Sequence, residues 1–336
     1  MDWSAVLGQA LTQAVGIQAI IYCLAAIGLN MQFGYTGLLN FGQAGFAAVG
    51  AYAIAVLVVT FDWGLWPSMA MGILGAIVLA LLLGVPTLRL RADYLAIVTI
   101  AAAEVIRLVS RSVTFNDVFG GSDGITGKFA AEFYALNPFI AVDPEFSGLT
   151  LGPLRYTRND SWIWLAGWAL IAIVLLIFWL LVRSPWGRVL KSIREDEDAA
   201  RSLGKNVYLY KMESLIIGGV IGALAGFVFA ASSQSVQPDN YATALTFFAY
   251  TVLILGGAAR VLGPVAGTIV FWFLIVFIGE FLTGALRAGW IPDELLRPDQ
   301  IGQVRFMLVG LGLMLLMIFR PQGMFGDRRE LALDAR

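Results

Sequence analysis

Few side chains in this sequence could do chemistry, and those that could stand at informative spacings. There is no histidine and one cysteine, Cys23. That removes the commonest general base and metal ligand, any histidine-dependent triad, any internal disulfide and any cysteine-based zinc site, so neither metal nor cofactor is expected. No GxxxxGK[ST] pattern occurs, so ATP hydrolysis by that route would have to come from another chain. Glu104 and Arg107 lie three residues apart on one helix face, close enough to pair. A buried acid in a membrane segment is a functional candidate, yet a paired Glu and Arg near a helix end can equally fix two helices. One such acid is too little for a proton relay or an intramembrane aspartyl protease. Asn40 and Gln43 share a face in the same way, just after the Gly-rich turn that holds Tyr35, Thr36 and Gly37. In a segment otherwise made of Phe, Ala, Val and Gly, two amides are costly facing lipid. They are expected either to face a permeation path or to hydrogen-bond a neighbouring helix.

The elements that must position these groups are helices in a bilayer. Hydrophobic residues make up 59% of the 336 residues and charged ones only 13%, with mean hydropathy +0.80; soluble domains carry about 25% charged residues. The fold class expected is all-α: a polytopic helical integral membrane protein, one membrane domain over 1–336, with broken or re-entrant helices. About nine spans are predicted: 6–29, 41–60, 66–86, 94–110, 161–182, 211–232, 244–259, 264–282 and 304–319. The first reads as a retained span, because no basic n-region precedes it. A net charge of −1 argues against a nucleic-acid surface.

Two Gly-rich, polar-interrupted stretches, Asn30–Tyr52 and Gln237–Gly267, fall in the two halves of the chain. Interrupted helices so placed are the best sequence pointer to a permeation path. Gly218, Gly222 and Gly226 form a small-residue ladder on one helix face, read as close helix packing.

The longest charged interruption is 184–206. Glu195, Asp196, Glu197 and Asp198 are consecutive, and each charge at the centre of a spanning helix costs roughly 2.5–3.5 kcal/mol. The segment must lie in water. Ser184 can cap a helix that begins at Pro185 and Gly204 can end it, with Val189, Ile193, Ala200 and Leu203 near one face. One amphipathic helix is therefore predicted, either docking a soluble partner or merely connecting two spans. Its basic residues put it in the cytoplasm, together with Arg89, Arg91, Arg260, Arg320, Arg328 and Arg329, and leave Asp2 and the N-terminus outside. The loop 112–160 then faces outward, and its length and aromatic content suit either a receiving surface or a structural cap.

Longer motifs carry a family resemblance. Asp198-Ala199-Ala200, three residues and Gly204 resemble the E-A-A-x-x-x-G cytoplasmic signature of ABC-importer permeases, with Asp for Glu. RLRADYLAIVTIAAAEVIRL (89–108), WGRVLKSIREDEDAARSLG (186–204), VLILGG (252–257) and RPQGMFG (320–326) resemble the LivM-type permease subunit of branched-chain amino-acid ABC importers. GGSDGITG (120–127), with Gly120, Gly121 and Gly124, is similar to that family's outer TGGxxGI loop, although Phe119 stands where threonine is usual. The resemblance implies a second, homologous permease, two cytoplasmic ATPases and an external solute-binding protein, with transport by alternating access. It makes 184–206 the coupling helix, whose Arg188, Arg194, Glu195, Asp196, Glu197 and Asp198 would meet an ATPase groove. Permeases for urea and short amides share the general pattern. A secondary transporter would need more intramembrane charge for ion coupling, and an intramembrane enzyme would need His or paired acids.

Overall fold

The computed structural model describes residues 3–89, 92–127, 129–139, 148–151, 154–292, 297–320 and 322–326. Arg91, Arg328, Arg329 and Asp2 of the orientation argument, and part of the 112–160 loop, lie outside the described residues. Helices are α1 (Trp3–Ala14), α2 (Ile17–Leu29), α3 (Gln43–Val59), α4 (Leu65–Thr87), α5 (Ala92–Arg111), α6 (Asn116–Phe119) and α7 (Ala131–Ala135). They continue as α8 (Arg158–Arg183), α9 (Pro185–Glu195), α10 (Glu197–Ser202), α11 (Val207–Ser233), α12 (Thr243–Gly256), α13 (Gly263–Arg287) and α14 (Ile301–Phe319). A π-helix, Asn30–Tyr35, extends α2.

Each of the nine predicted apolar segments contains a helix. Among the described residues six helices are long and apolar enough to cross a membrane. The other three segments hold α3 with 17 residues, α12 with 14, and α5, which carries Glu104, Arg107 and Arg111. The first span differs from expectation at both ends: it starts at Trp3, breaks where Gly16 takes extended backbone, and runs on to Tyr35.

Helix α11 is the hub, packing against α2, α3 and α4. Its glycine face explains how. A Cβ on Gly226 would lie 2.0 Å from the Ala47 carbonyl oxygen, and one on Gly219 2.5 Å from the Phe46 ring. Backbones this close exchange van der Waals contact that lipid cannot supply. Ile20, Leu24, Ile27, Ala47, Ala51, Ile54 and Phe227 complete the buried core around it. By contrast α14 is exposed along nearly its whole length.

At the ends, short elements tie loops to helices. β1 (Ile125–Thr126) pairs antiparallel with β4 (Ser235–Val236), in register Ile125↔Val236 and Thr126↔Ser235, so the GGSDG loop is stitched to the end of α11. A small hairpin, β2 (Thr150–Leu151) with β3 (Leu154–Arg155), precedes α8. At the opposite face the Met324 and Phe325 N–H groups donate to the Leu255 and Gly256 carbonyls, at 3.0 and 3.2 Å. The chain's tail thereby satisfies carbonyls that α12 leaves open where it stops. Motifs 252–257 and 320–326, far apart in sequence, meet here.

The segment 184–206 is not one helix. Asp196 adopts extended backbone (φ −156°, ψ 105°) and breaks it into α9 and α10, because its carboxylate accepts from the Ala199 N–H at 2.9 Å and caps the second helix. Leu203 is also corrected: it is 81% exposed. α10 ends at Ser202 and Gly204 turns left-handed (φ 76°), which swings Leu203 off the buried face. Leu190, Ile193 and Ala200 form that face, with Val189 beside them.

Gly226→Val is expected to push α11 off α3. Overpacking costs about 1–3 kcal/mol, so the detergent-solubilised protein should melt several degrees lower, whereas Gly310→Val on α14, where a Cβ meets open space, should leave the melting curve unchanged.

Candidate functional site

The first broken helix sets the site. After the π-turn the chain runs without helix from Gly37 to Gly42, and α3 begins at Gln43 deep in the bundle. N–H groups in the break and in the first turn of a helix lack the usual intrahelical partner, so in a buried site side chains must supply acceptors. Asn40 Oδ1 accepts from the Gly42 N–H at 2.8 Å, Thr99 Oγ1 of α5 from the Phe41 N–H at 3.0 Å, and Thr246 Oγ1 of α12 from the Ala44 N–H at 2.9 Å. Two helices, together with Asn40 of the stretch itself, thus hold one interrupted strand of backbone.

The amides form a buried chain behind it. Asn40 Nδ2 donates to Gln32 Oε1 (2.8 Å) and to Gln43 Oε1 (3.3 Å), Gln32 Nε2 donates to the Leu215 carbonyl (3.1 Å), and Gln43 Nε2 donates to the Gly218 carbonyl (3.1 Å). Asn40, Gln43 and Gln32 are fully buried. The glycine face of α11 makes room for them: a Cβ on Gly218 would lie 2.4 Å from Gln32 Nε2, and one on Gly222 2.7 Å from Gln43 Nε2. Thr36 Oγ1 bonds the Met31 carbonyl and Ser214 Oγ, at 2.9 and 2.7 Å. Gln43 makes interhelical bonds in this conformation, whereas Asn40 stands in the non-helical run before α3 rather than on its face, and bonds Gln32 and Gln43. Tyr35 and Thr36 are buried beside them, and Gly37, at φ 73°, is exposed.

The second broken stretch meets the first. Asn30 Oδ1 accepts from the Ala259 N–H at 2.9 Å while its Nδ2 donates to the Arg260 carbonyl at 2.7 Å. Gly34 is required at this crossing, since a Cβ there would lie 2.6 Å from the Ala259 nitrogen.

The wet helices reach the same turn. Ser184 caps α9 through the Gly187 N–H, with Pro185 in its first turn. From the far end of α9, Arg194 Nη1 donates to the Gly34 carbonyl at 2.6 Å, and its stem lies across Gly37. Lys191 Nζ sits 5.4 Å from the Tyr35 ring centre, a cation–π distance. Arg194, grouped by sequence with the partner-facing charges, therefore points into the membrane domain. Arg188, Glu195 and Asp198 are exposed. Glu197 pairs with Arg201 at 2.8 Å and Asp198 with Arg201 at 3.0 Å, both within α10, and Glu197 also pairs with Lys211, which ties α10 to α11. A cleft of about 740 Å³ opens between α10 and the end of α4, lined by Arg89, Asp198, Arg201, Lys205 and Tyr208.

On the opposite face Gly120, Gly121 and Gly124 all have positive φ, and a Cβ on Gly124 would lie 2.2 Å from the Val236 oxygen. Phe119 packs edge-on against Tyr52, ring centres 5.6 Å apart, which accounts for an aromatic at that position. Glu104 and Arg107 do pair, at 2.5 Å, but Arg107 also bridges to Asp239 at 2.5 Å, an interaction the sequence reading missed. Asp239 lies 132 residues away in sequence, beyond the reach of spacing arguments. Thr99, Ser214, Thr246 and Tyr250, whose hydroxyl donates to the Asn40 carbonyl at 3.0 Å, were missed for the same reason, and Gln32 because the broken helix folds it back onto Asn40.

A family model described as "Branched-chain amino acid transport system / permease component" matches residues 11–318. The chain belongs to this family. It is 32% identical to the high-affinity branched-chain amino acid transport system permease protein LivM of Escherichia coli K12, over 93% of this chain and 69% of that one. It is 26% identical to a probable branched-chain amino acid transport permease protein LivM of Methanocaldococcus jannaschii, over 92% and 91%. A nucleoside ABC transporter permease protein, NupC of Lactococcus lactis subsp. cremoris, is 24% identical over 85% and 86%. This chain is an ABC-transporter permease, a multi-pass protein of the plasma membrane. That sets aside the secondary-transporter alternative.

In the permease, Asn40→Leu strands the Gly42 N–H in a dry interior. A buried group left unpaired costs about 1–3 kcal/mol, so the variant should melt markedly lower in detergent, and Asn40→Ser should recover part of the loss.

Proposed function

We propose that this permease conducts amino acids, branched-chain ones foremost, as half of the membrane part of an ATP-driven importer. It pairs with a homologous second permease, two cytoplasmic ATP-binding subunits and an extracytoplasmic solute-binding protein. In this reading ATP is hydrolysed by the partners, the face bearing α9 and α10 is cytoplasmic, and the GGSDG loop faces the binding protein. The clustered Lys and Arg of 183–211 support that orientation. Substrate choice follows the two LivM relatives, and the nucleoside permease at lower identity is the reason urea, amides and nucleosides belong in the assay.

One contact carries the coupling role: Arg194 of the wet helix donates to the Gly34 carbonyl on the turn where the first helix breaks. Motion of α9, imposed by the closing ATPases through the exposed Arg188 and Glu195 and through the α10 cleft, is handed to the 30–43 turn. That turn carries Asn40 and Gln43, whose interhelical bonds can exchange partners as α3 moves against α11. Switching between two hydrogen-bonded sets costs less than leaving either set unpaired, which suits alternating access. Tyr35, Thr36, Asn40 and Gln43 then border the path in the alternate state.

Uptake by the complex in proteoliposomes tests this. Leucine, isoleucine and valine should accumulate with ATP and binding protein; uptake of only urea or a nucleoside would overturn the substrate assignment. Arg194→Ala should cut leucine uptake by about tenfold or more, the equivalent of a lost charged hydrogen bond, while the ATPases still co-purify. Full uptake by that variant would refute the coupling route. Reporter fusions at the 184–206 segment and at the 112–160 loop should report opposite sides of the membrane.

A further inference from the structure

At the face that carries the GGSDG loop, four charges of alternating sign stand together. Arg107 Nη2 is 2.5 Å from Glu104 Oε1, Arg107 Nη1 is 2.5 Å from Asp239 Oδ1, and Arg111 Nη1 is 3.4 Å from the same Asp239 oxygen. Arg111 Nε also reaches Ser122 Oγ at 3.4 Å, which ties the cluster to the loop. The cluster is wet at one side: Asp239 is 61% and Glu104 39% exposed. It sits at the head of an apolar strip. Ile97, Ile100, Glu104 and Arg107, spaced three, four and three, share one face of α5, and Ala244, Phe247 and Thr251 share one face of α12. Ile97, Ala244 and Phe247 are exposed. Phe41 joins the two helices, its N–H on Thr99 of α5 and its ring 5.7 Å from Phe247 of α12. Directly behind Phe41 lies the interrupted backbone of the site described above.

Two carboxylates and two guanidiniums, net neutral, above an aliphatic and aromatic strip have the complement of an aliphatic α-amino acid. A solute carrying only one charge would leave one half of the cluster without a gain, whereas a zwitterion can exchange with both intramolecular pairs at once. A guanidinium suits a carboxylate in a two-pronged contact. Exchange of ion pairs for ion pairs leaves no charge unpaired, which is what lets it proceed at a membrane boundary.

Resting on the amino-acid reading, we propose that Glu104, Arg107, Arg111 and Asp239 form a zwitterion-accepting mouth, in which the arginines take the substrate carboxylate, Glu104 and Asp239 take its ammonium, and Ile97, Ile100, Phe41 and Phe247 receive its aliphatic chain. It separates amino acids from urea and nucleosides a second time, after the binding protein has released its cargo.

Cysteine protection in the assembled complex tests it without relying on the binding protein's own selectivity. With Ile100→Cys in a Cys23→Ala background, and Ile97→Cys as a second reporter, labelling by a water-soluble maleimide should slow in millimolar leucine. Leucinamide, which lacks the carboxylate, and 4-methylpentanoate, which lacks the amine, should each need about tenfold more for the same protection, as expected for one lost charged contact. Adding Arg107→Gln should bring leucine down to the level of leucinamide, and Asp239→Asn should bring it down to that of 4-methylpentanoate. The mouth is refuted if a complex that transports leucine shows no leucine protection at either cysteine. It is equally refuted if the charge variants slow turnover but leave the order of the three compounds unchanged, the result of a mere structural latch. A complex that transports no amino acid and moves urea or a nucleoside would instead bring down the substrate reading itself.

Discussion

The interior of a bilayer offers no water, so every backbone group freed by a broken helix must find a partner in the protein. That constraint organises this permease. Breaking the helix between Tyr35 and Gln43 frees N–H groups in the break and in the first turn of α3, and Thr99, Asn40 and Thr246 answer those of Phe41, Gly42 and Ala44. Those side chains must be held in turn, which brings in Gln32, Gln43 and Tyr250. Stopping α12 at Gly256 creates the converse need, and the chain's tail supplies it through the N–H groups of Met324 and Phe325. The interruptions are thus over-determined by their surroundings, the condition under which a membrane protein can keep them.

Close packing of α11 follows from the same requirement. Amides as large as Gln32 and Gln43 fit between helices only where the facing helix has no side chains, and Gly218 and Gly222 provide that space while their neighbouring carbonyls accept the amide protons. The glycines therefore serve two purposes at once, close approach at Gly226 and accommodation of polar groups at Gly218 and Gly222. A hydrogen-bonded seam between helices is able to shift in register while staying satisfied, a property a purely apolar seam of interlocked large residues lacks.

The two faces of the molecule are built differently. On the face of α9 and α10, short helices are pinned by caps and ion pairs, at Ser184, Asp196 and Glu197, and one arginine reaches inward. On the other, glycines with positive φ and a two-residue strand pairing hold a loop against the ends of α5 and α11. Both faces are anchored to the broken helices, the first through Gly34 and the second through the α5–Asp239 bridge. Family membership gives these parts a common purpose in transport, and the contacts give each a physical route to the centre.

Composition alone determined that this chain is a helical membrane protein, because 59% hydrophobic residues in long runs have no other stable arrangement. The caps at Ser184 and Gly204, the pairing of Glu104 with Arg107 and the glycine face of α11 were also legible, since each depends on residues within one turn or one helix face. Only the tertiary structure decided the rest. It turned Arg194 inward, joined Arg107 to Asp239, set Asn40 against Gln32 and Gln43 against Gly218, and used Asp196 to split the wet helix where periodicity ran through. Those outcomes depend on which helices lie side by side. Side-chain spacing carries that information along one helix and loses it at the first loop.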